Sequence, residues 1–157
     1  MLNIVIIAVG KLKERFWADA CAEYLKRLRP YAHVAVEEIP DLDPARVGGE
    51  AAAREGEGKA ILDRIPSRAH VIALAIDGKQ RTSEQLATHL DELALDGRSN
   101  LAFIVGGSTG LDAAVMARAD EALSFGLITL PHNLARVVLL EQIYRAFRIL
   151  RGEPYHK

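Results

Sequence analysis

The sequence has little cysteine, the residue that forms disulfides and often binds zinc. Cys21 is its only cysteine, so no disulfide can form within the chain, and a disulfide-stapled secreted domain is excluded. Its neighbours are helix-forming residues, and we expect a buried thiol rather than a reactive nucleophile. The histidines are scattered, and no pair of them has the spacing of a zinc motif. The sequence therefore predicts that no metal is bound.

Long hydrophobic runs are also missing. The apolar start, residues 2–9, is too short to span a bilayer, has no basic region before it and is not followed by a small-residue cleavage pattern. We interpret it as the first strand of the fold. We expect a cytoplasmic protein with no membrane segment, and a chain of 157 residues suits one domain, residues 1–157.

An overall excess of positive charge is absent, because the net charge is only −1. The distribution is uneven. Residues 1–36 and 131–157 each have a net charge of +3, whereas residues 37–130 have a net charge of −7. If the two ends meet in the fold or across a dimer, they form a basic patch that suits phosphates. The alternative is that these charges only solvate helix faces.

Short apolar runs alternate with amphipathic segments along the whole chain. This alternation predicts an α/β fold with a mainly parallel sheet and helices on both faces. Thr82 and Gln85 predict a capping box, and Asp112 predicts a helix N-cap. The predicted strands are residues 2–9, 33–39, 70–76, 100–105 and 123–130. The predicted helices are residues 15–28, 50–65, 83–95, 113–118 and 134–150.

Three loops at the carboxyl ends of predicted strands are candidates for a ligand site, because open α/β sheets bind ligands at that edge. They follow residues 71–76, 101–105 and 123–130. Gly106–Gly110 lets a ligand approach the backbone closely, although it matches neither a Walker loop nor a dinucleotide fingerprint. Gly126 and Pro131 indicate a strand end with an open backbone. A tight structural turn explains the first segment equally well, and a bulge explains the second.

The last helix combines apolar residues on more than one face with arginines. Its apolar surface predicts contact with a second subunit, or else burial within one subunit. Arginines bind phosphates and aromatic rings stack on splayed bases, so the helix and the tail after it are candidates for RNA binding, with a solvated helix face as the alternative. The groups concerned are Arg136, Arg145, Arg148, Arg151, Tyr155 and His156.

Several sequence landmarks resemble the bacterial large-subunit ribosomal RNA pseudouridine N3-methyltransferases of the SPOUT superfamily. They are IIAVGKLKE, AEYLKRL, FIVGGSTGL, ALSFGLITLPHNLARVVLLEQIYRAFRI and the terminal RGEPYHK. The resemblance covers essentially the whole chain and is weakest in residues 41–58. It implies a C-terminal trefoil knot, a homodimer and S-adenosyl-L-methionine as cofactor. It also implies methylation of N3 of a pseudouridine in 23S ribosomal RNA, in the large subunit or the assembled ribosome.

The same resemblance assigns the cofactor site. By position, it implies contacts from Leu74, Gly106, Phe125, Gly126, Leu127, Ile128, Thr129 and Leu130. These residues lie in the three strand-end loops identified above. Many relatives carry an acidic residue directly after the position of Leu74, whereas this chain has Ala75, with Asp77 two residues further on.

Methylation of an imide nitrogen requires removal of its proton. His132, beside the cofactor loop, and His156, in the tail, are the candidates for that proton. Arg145 and Tyr155 are the candidates for positioning RNA. Two other functions fit the sequence less well: a non-catalytic nucleotide-binding module and a ribosome-binding factor that docks through its basic ends.

Overall fold

The computed structural model describes residues 1–155 of the chain. Within these residues, five strands form one parallel sheet in the order β2-β1-β4-β3-β5. The strands are β1 Leu2–Val9, β2 Ala32–Ile39, β3 His70–Gln80, β4 Asn100–Val105 and β5 Glu121–Ser124. The helices are α1 Arg15–Leu28, α2 Pro44–Val47, α3 Glu50–Arg64, α4 Ser83–Leu95, α5 Ala113–Arg118 and α6 His132–Leu150.

Helices cover both faces of the sheet, as predicted. Side chains of β1 alternate between two cores. Ile4 and Ile6 pack into the core formed with α1, α4 and α6, whereas Ile7 and Val9 pack into the core formed with α3 and α5. β1 is buried on both faces because it lies inside a parallel sheet. None of the helices in residues 1–155 is long and apolar enough to cross a membrane.

Local capping chemistry was predicted correctly. The Thr82 side chain accepts from the backbone of Gln85, whose own side chain accepts from the backbone of Thr82, so both members of the capping box are present at α4. Asp112 accepts from Ala114 N at the start of α5. Each cap satisfies backbone N–H groups that lack a partner inside the helix.

A fifth strand is present, but the bounds predicted for it, residues 123–130, were wrong. β5 ends at Ser124, because Gly126 has a φ of +110° and turns the chain away from the sheet. β3 is longer than predicted, and its register against β5 shifts between Leu74 and Lys79. An alanine Cβ at Gly78 would lie 2.8 Å from the Ala122 carbonyl carbon, so this shifted pairing requires a glycine.

Two helix boundaries also differ from the predictions. Residues 40–49 lie in none of the predicted helices or strands, but they contain α2. The Asp43 side chain caps the start of this helix, and Gly48, with a φ of +99°, ends it. Proline at the first position of a helix is favourable, because its missing N–H would have no partner there. α6 begins at His132 rather than at Leu134, which places His132 in the first turn of the helix.

Candidate active site

A cavity of about 670 Å³ lies at the carboxyl ends of β3 and β4, between the predicted ligand loops. A smaller cavity of about 280 Å³ adjoins it and shares Leu74, Thr129 and Leu130 with it. The fold therefore brings the three loops together, although they are up to 56 positions apart in the chain. This is the edge of the sheet where α/β proteins bind ligands.

Most of the predicted cofactor residues line these two cavities. Leu74, Gly106, Thr129 and Leu130 line the larger one. Phe125, Gly126 and Ile128 line the smaller one. Leu127 lies outside both linings, with 82% of its surface exposed.

The rim of the cavities carries an exposed apolar surface. Ile76, Leu127 and Ile128 are 55%, 82% and 72% exposed, respectively. Large apolar side chains that cluster at a cavity mark a place where a ligand or a partner covers them. The surface therefore suits an aromatic ligand ring or a second protein chain.

The glycine-rich loop after β4 is tightly folded. A Cβ at Gly106 would lie 3.1 Å from the Leu111 side chain and 3.2 Å from the carbonyl carbon of Gly110. The Arg54 guanidinium donates to the Thr109 carbonyl at 3.3 Å, which ties the loop to α3. A side chain at position 106 would crowd both the loop and the cavity that it lines.

Ser124 joins two of the cavity loops, and the sequence analysis missed this residue. Its buried hydroxyl lies 2.8 Å from the Ile76 carbonyl and accepts from Gly126 N at 3.1 Å. One side chain thus fixes the end of β3 against the loop that follows β5. A serine at the last position of a strand, two residues before a glycine, was the available signal.

We expect Ser124→Ala to lower the free energy of unfolding by about 1–3 kcal/mol, because it removes the hydrogen bonds that the buried Ser124 hydroxyl makes with Ile76 and Gly126. Urea unfolding followed by circular dichroism measures this loss. Ser108→Ala is the control, since Ser108 lies in an exposed part of the glycine-rich loop, and we expect a change within about 0.5 kcal/mol. Equal effects in the two variants would contradict the role assigned to Ser124.

His132 faces the larger cavity from the first turn of α6. Its Nε2 would lie 3.5 Å from a Cβ at Gly10, so the imidazole packs against the loop after β1. That loop is held by Arg136, which donates to the Gly10 carbonyl at 2.9 Å and pairs with Glu38 at 2.7 Å. A neutral imidazole in this position can accept a proton from a molecule in the cavity.

Arg145 and Tyr155 form a separate cluster. Arg145 pairs with Glu141 at 2.7 Å, and its guanidinium lies 4.6 Å from the centre of the Tyr155 ring. The Tyr155 hydroxyl donates to Glu141 at 3.1 Å. Along α6, at about 1.5 Å per residue, Arg145 is roughly 20 Å from His132. Within one chain, Arg145 and Tyr155 therefore do not reach the cavity that His132 lines. His156 lies outside the described residues.

The Tyr155 pKa is raised to about 12, first by burial and then by the charge of Glu141. Tyr155 is therefore a hydrogen-bond donor at neutral pH and not a base. We expect one tyrosine to titrate near pH 12 in ultraviolet absorbance, and we expect Tyr155→Phe to remove that transition. The phenol contributes stability below the unfolded pKa of about 10, and this contribution disappears as the pH rises through the folded value. Loss of a transition near pH 10 in the variant would contradict this assignment.

The other arginines of the C-terminal region have partners within the chain. Arg136 is only 2% exposed, so its guanidinium does not reach RNA phosphates in this arrangement. Arg148 pairs with Glu153, and Arg151 lies 4.5 Å from the centre of the Tyr31 ring. The C-terminal region therefore offers RNA fewer guanidinium groups than predicted. Arg136 is buried, and Arg148 and Arg151 contact other residues of their own chain.

A further cavity of about 600 Å³ opens at the opposite end of the sheet. Asn3, Arg29, His33 and Asn100 line it. It lies at the amino ends of β1 and β4, away from the glycine-rich loop, and ligands of parallel sheets bind at the carboxyl ends. We therefore place the candidate active site at the first cavity.

Known proteins with similar sequences match the chain over almost its whole length. A family model described as "Predicted SPOUT methyltransferase" matches residues 2–156. The chain is 55% identical to "Ribosomal RNA large subunit methyltransferase H" of Listeria welshimeri, over 99% of this chain and 100% of that protein. It is 57% identical to the protein of the same name from Bacillus cytotoxicus, with the same coverage.

Two solved structures share the fold at low sequence identity. A probable methylase family protein from Haemophilus influenzae Rd KW20 superposes with a TM-score of 0.55 at 15% identity, over 99% of this chain and 70% of that one. TrmJ from Z. mobilis ZM4 superposes with a TM-score of 0.52 at 17% identity, over 100% of this chain and 73% of that one. These likenesses concern the fold alone.

Proposed function

The chain belongs to the SPOUT methyltransferase family, and from this premise we propose that it transfers a methyl group from S-adenosyl-L-methionine to N3 of a pseudouridine in 23S ribosomal RNA. The observation that carries the proposal is the cavity at the carboxyl ends of β3 and β4, where three separate loops meet. In this proposal the protein acts in the cytoplasm, where ribosomes are.

The residues at this cavity fit the proposed cofactor. An adenine ring requires an apolar slot with backbone partners, and Leu74, Ile128 and Leu130 supply apolar walls. Gly106 and Gly126 leave backbone accessible, and a Cβ at Gly106 would press on Leu111 and Gly110, which also line the larger cavity. The cofactor would be held by these residues with Phe125, Leu127 and Thr129, and it supplies an electrophilic methyl group.

His132 is the proposed base. Its imidazole would accept the imide proton of the pseudouridine, and the bound cofactor would supply the methyl group that replaces this proton on N3. Pro131 and His132 form a wall of the cavity that positions the pseudouridine and excludes water. This positioning aligns the acceptor nitrogen for in-line displacement. His156 is retained as the second candidate for the proton.

A homodimer with a C-terminal knot completes the proposed site. Arg145 and Tyr155 are roughly 20 Å from His132 along the same helix, at about 1.5 Å per residue. They reach the substrate only if they act on the cavity of a second subunit. The exposed apolar rim at Leu127 and Ile128 supports a protein contact there. We assign these two side chains to RNA positioning across the interface.

Methyl transfer from labelled S-adenosyl-L-methionine tests the function. Purified protein is incubated with 50S subunits and with 70S ribosomes from a strain that lacks the enzyme. We expect label in 23S ribosomal RNA, at a pseudouridine that mass spectrometry locates. A His132→Gln variant, which keeps a polar side chain but cannot take the proton, is expected to bind the cofactor normally and to lose most of its turnover.

Two results would contradict the proposal. Absence of label in both ribosomal substrates would remove the methyltransferase function and leave a ribosome-binding factor. Calorimetric binding of flavins or nucleotides in place of S-adenosyl-L-methionine would indicate a non-catalytic nucleotide module.

A further inference from the structure

A cluster of His70, His89 and Glu121 lies at the end of the sheet opposite the active site. His70 starts β3, His89 is in the middle of α4, and Glu121 starts β5. One ligand atom from each of the three lies within 4.8 Å of the others. We propose that this cluster is a binding site for Zn²⁺ or a similar divalent transition metal.

The donor set is suited to such an ion. His70 Nε2 lies 2.7 Å from Glu121 Oε2, and His89 Nε2 lies 2.8 Å from the same oxygen. Two imidazole nitrogens and a carboxylate oxygen, completed by water, form a recurrent zinc set. Tetrahedral coordination requires ligand atoms about 3.3 Å apart. The three side chains must therefore separate by about half an ångström to admit the ion.

Each histidine also has a carboxylate near its other ring nitrogen. Asp120 Oδ2 lies 3.7 Å from His70 Nδ1, and Glu92 Oε2 lies 4.0 Å from His89 Nδ1. Zinc-bound imidazoles usually donate their second N–H to a carboxylate, which fixes the tautomer. Carboxylates that could become these outer partners thus lie nearby, each beyond hydrogen-bond distance and in need of a small shift.

Arg98 competes with the metal. Its guanidinium donates to His70 Nδ1 at 2.8 Å, so the metal-free ring carries its proton on Nε2, toward Glu121. Metal binding at Nε2 moves that proton to Nδ1, toward Asp120, and displaces the guanidinium. Arg98 is exposed, and its side chain can move into solvent without losing a buried position.

The sequence analysis predicted no metal because the histidines lie far apart in the chain. The fold brings two of them together from a strand and a helix, with a carboxylate from a second strand. A bound ion would join β3, α4 and β5 and would therefore tie α4 to the sheet.

Cobalt provides the direct test, since Co²⁺ in a tetrahedral nitrogen–oxygen site absorbs strongly in the visible range. Tag-free, chelator-treated full-length protein is titrated with Co²⁺, and the bound Co²⁺ is then displaced with Zn²⁺. We expect one ion per chain and a rise in melting temperature with Zn²⁺. His89→Gln should weaken Zn²⁺ binding by at least about 100-fold, as should Glu121→Gln, which is nearly isosteric.

Two further variants separate this site from other metal binding. His33→Gln, at an exposed histidine elsewhere, should leave affinity unchanged. Arg98→Gln should tighten binding, because it removes the competitor of the metal. Octahedral cobalt spectra alone, or a folded His89→Gln protein with wild-type affinity, would overturn the proposal. Weaker binding in Arg98→Gln would overturn the exchange with the guanidinium.

Discussion

Gly106→Leu is expected to abolish binding of S-adenosyl-L-methionine, weakening it by at least about 100-fold, which corresponds to about 2.8 kcal/mol. The first carbon of the new side chain would already lie 3.1 Å from the Leu111 side chain, and the remaining carbons would extend from the loop that lines the cavity. Isothermal titration calorimetry measures the affinity. Gly106→Ala adds only the first carbon, so we expect a smaller loss.

The Gly106→Leu variant must remain folded if its loss of binding is to report on the cofactor site. We expect Gly106→Leu to reduce the free energy of unfolding by about 1–3 kcal/mol, as overpacking does. The control is Ser99→Leu, which adds comparable bulk at the exposed amino end of β4. It should bind the cofactor normally. Affinity within about threefold of wild type in Gly106→Leu, a change of less than 1 kcal/mol, would remove this residue from the site.

Arg145→Met is expected to lower kcat/KM on ribosomes by about 100-fold and to leave the affinity for S-adenosyl-L-methionine unchanged. Methionine keeps much of the apolar length of the side chain but removes the guanidinium that pairs with Glu141. Filter binding of labelled cofactor and single-turnover methylation measure the two quantities separately. The cofactor cavity of the same chain is too distant to respond directly.

Mixed dimers distinguish a shared site from a site within one chain. Gly106→Leu and Arg145→Met damage different parts of the proposed site. In a heterodimer of the two variants, one site carries both defects and the other carries neither. Random mixing makes about half of the dimers mixed, so we expect about one quarter of wild-type activity from two inactive proteins.

The mixing experiment has a clear contrary result. If each chain works alone, the mixture stays at the level of the separate variants. The chains are co-expressed with different tags, and isolation of the mixed species through both tags should raise the expected activity to about one half of wild type. The double variant Gly106→Leu/Arg145→Met, mixed with wild type, provides the matched control for expression and tagging.

Elements determined by nearby residues were predicted closely from the sequence. The bounds of β1, α1, β4 and α5 agree with the structure, because each combines a clear apolar pattern with a local boundary signal. The end of β5 was predicted too far along the chain, because residues 125–130, which follow the strand, are mostly apolar as well. The positive φ of Gly126 and the hydrogen bonds of the Ser124 hydroxyl turn them away from the sheet.

Side-chain partnerships between distant elements could not be read from the sequence. Arg136 was grouped with the RNA-binding arginines, since nothing nearby in the chain shows that Glu38 neutralises it. The approach of His70 to His89 depends on the packing of α4 against the strands. The three segments that meet at the larger cavity were identified as ligand candidates because the rule for the carboxyl ends of parallel strands needs only the order of elements.

The buried guanidinium of Arg136 determines which wall of the cavity can move to admit a ligand. Sliding α6 along the sheet would separate it from Glu38 and Gly10 and strand a cation in the interior, at a cost of about 3–5 kcal/mol. The histidine-bearing wall is consequently stiff. Admission of a ligand therefore falls to the loop after β5, whose tip at Leu127 and Ile128 is exposed.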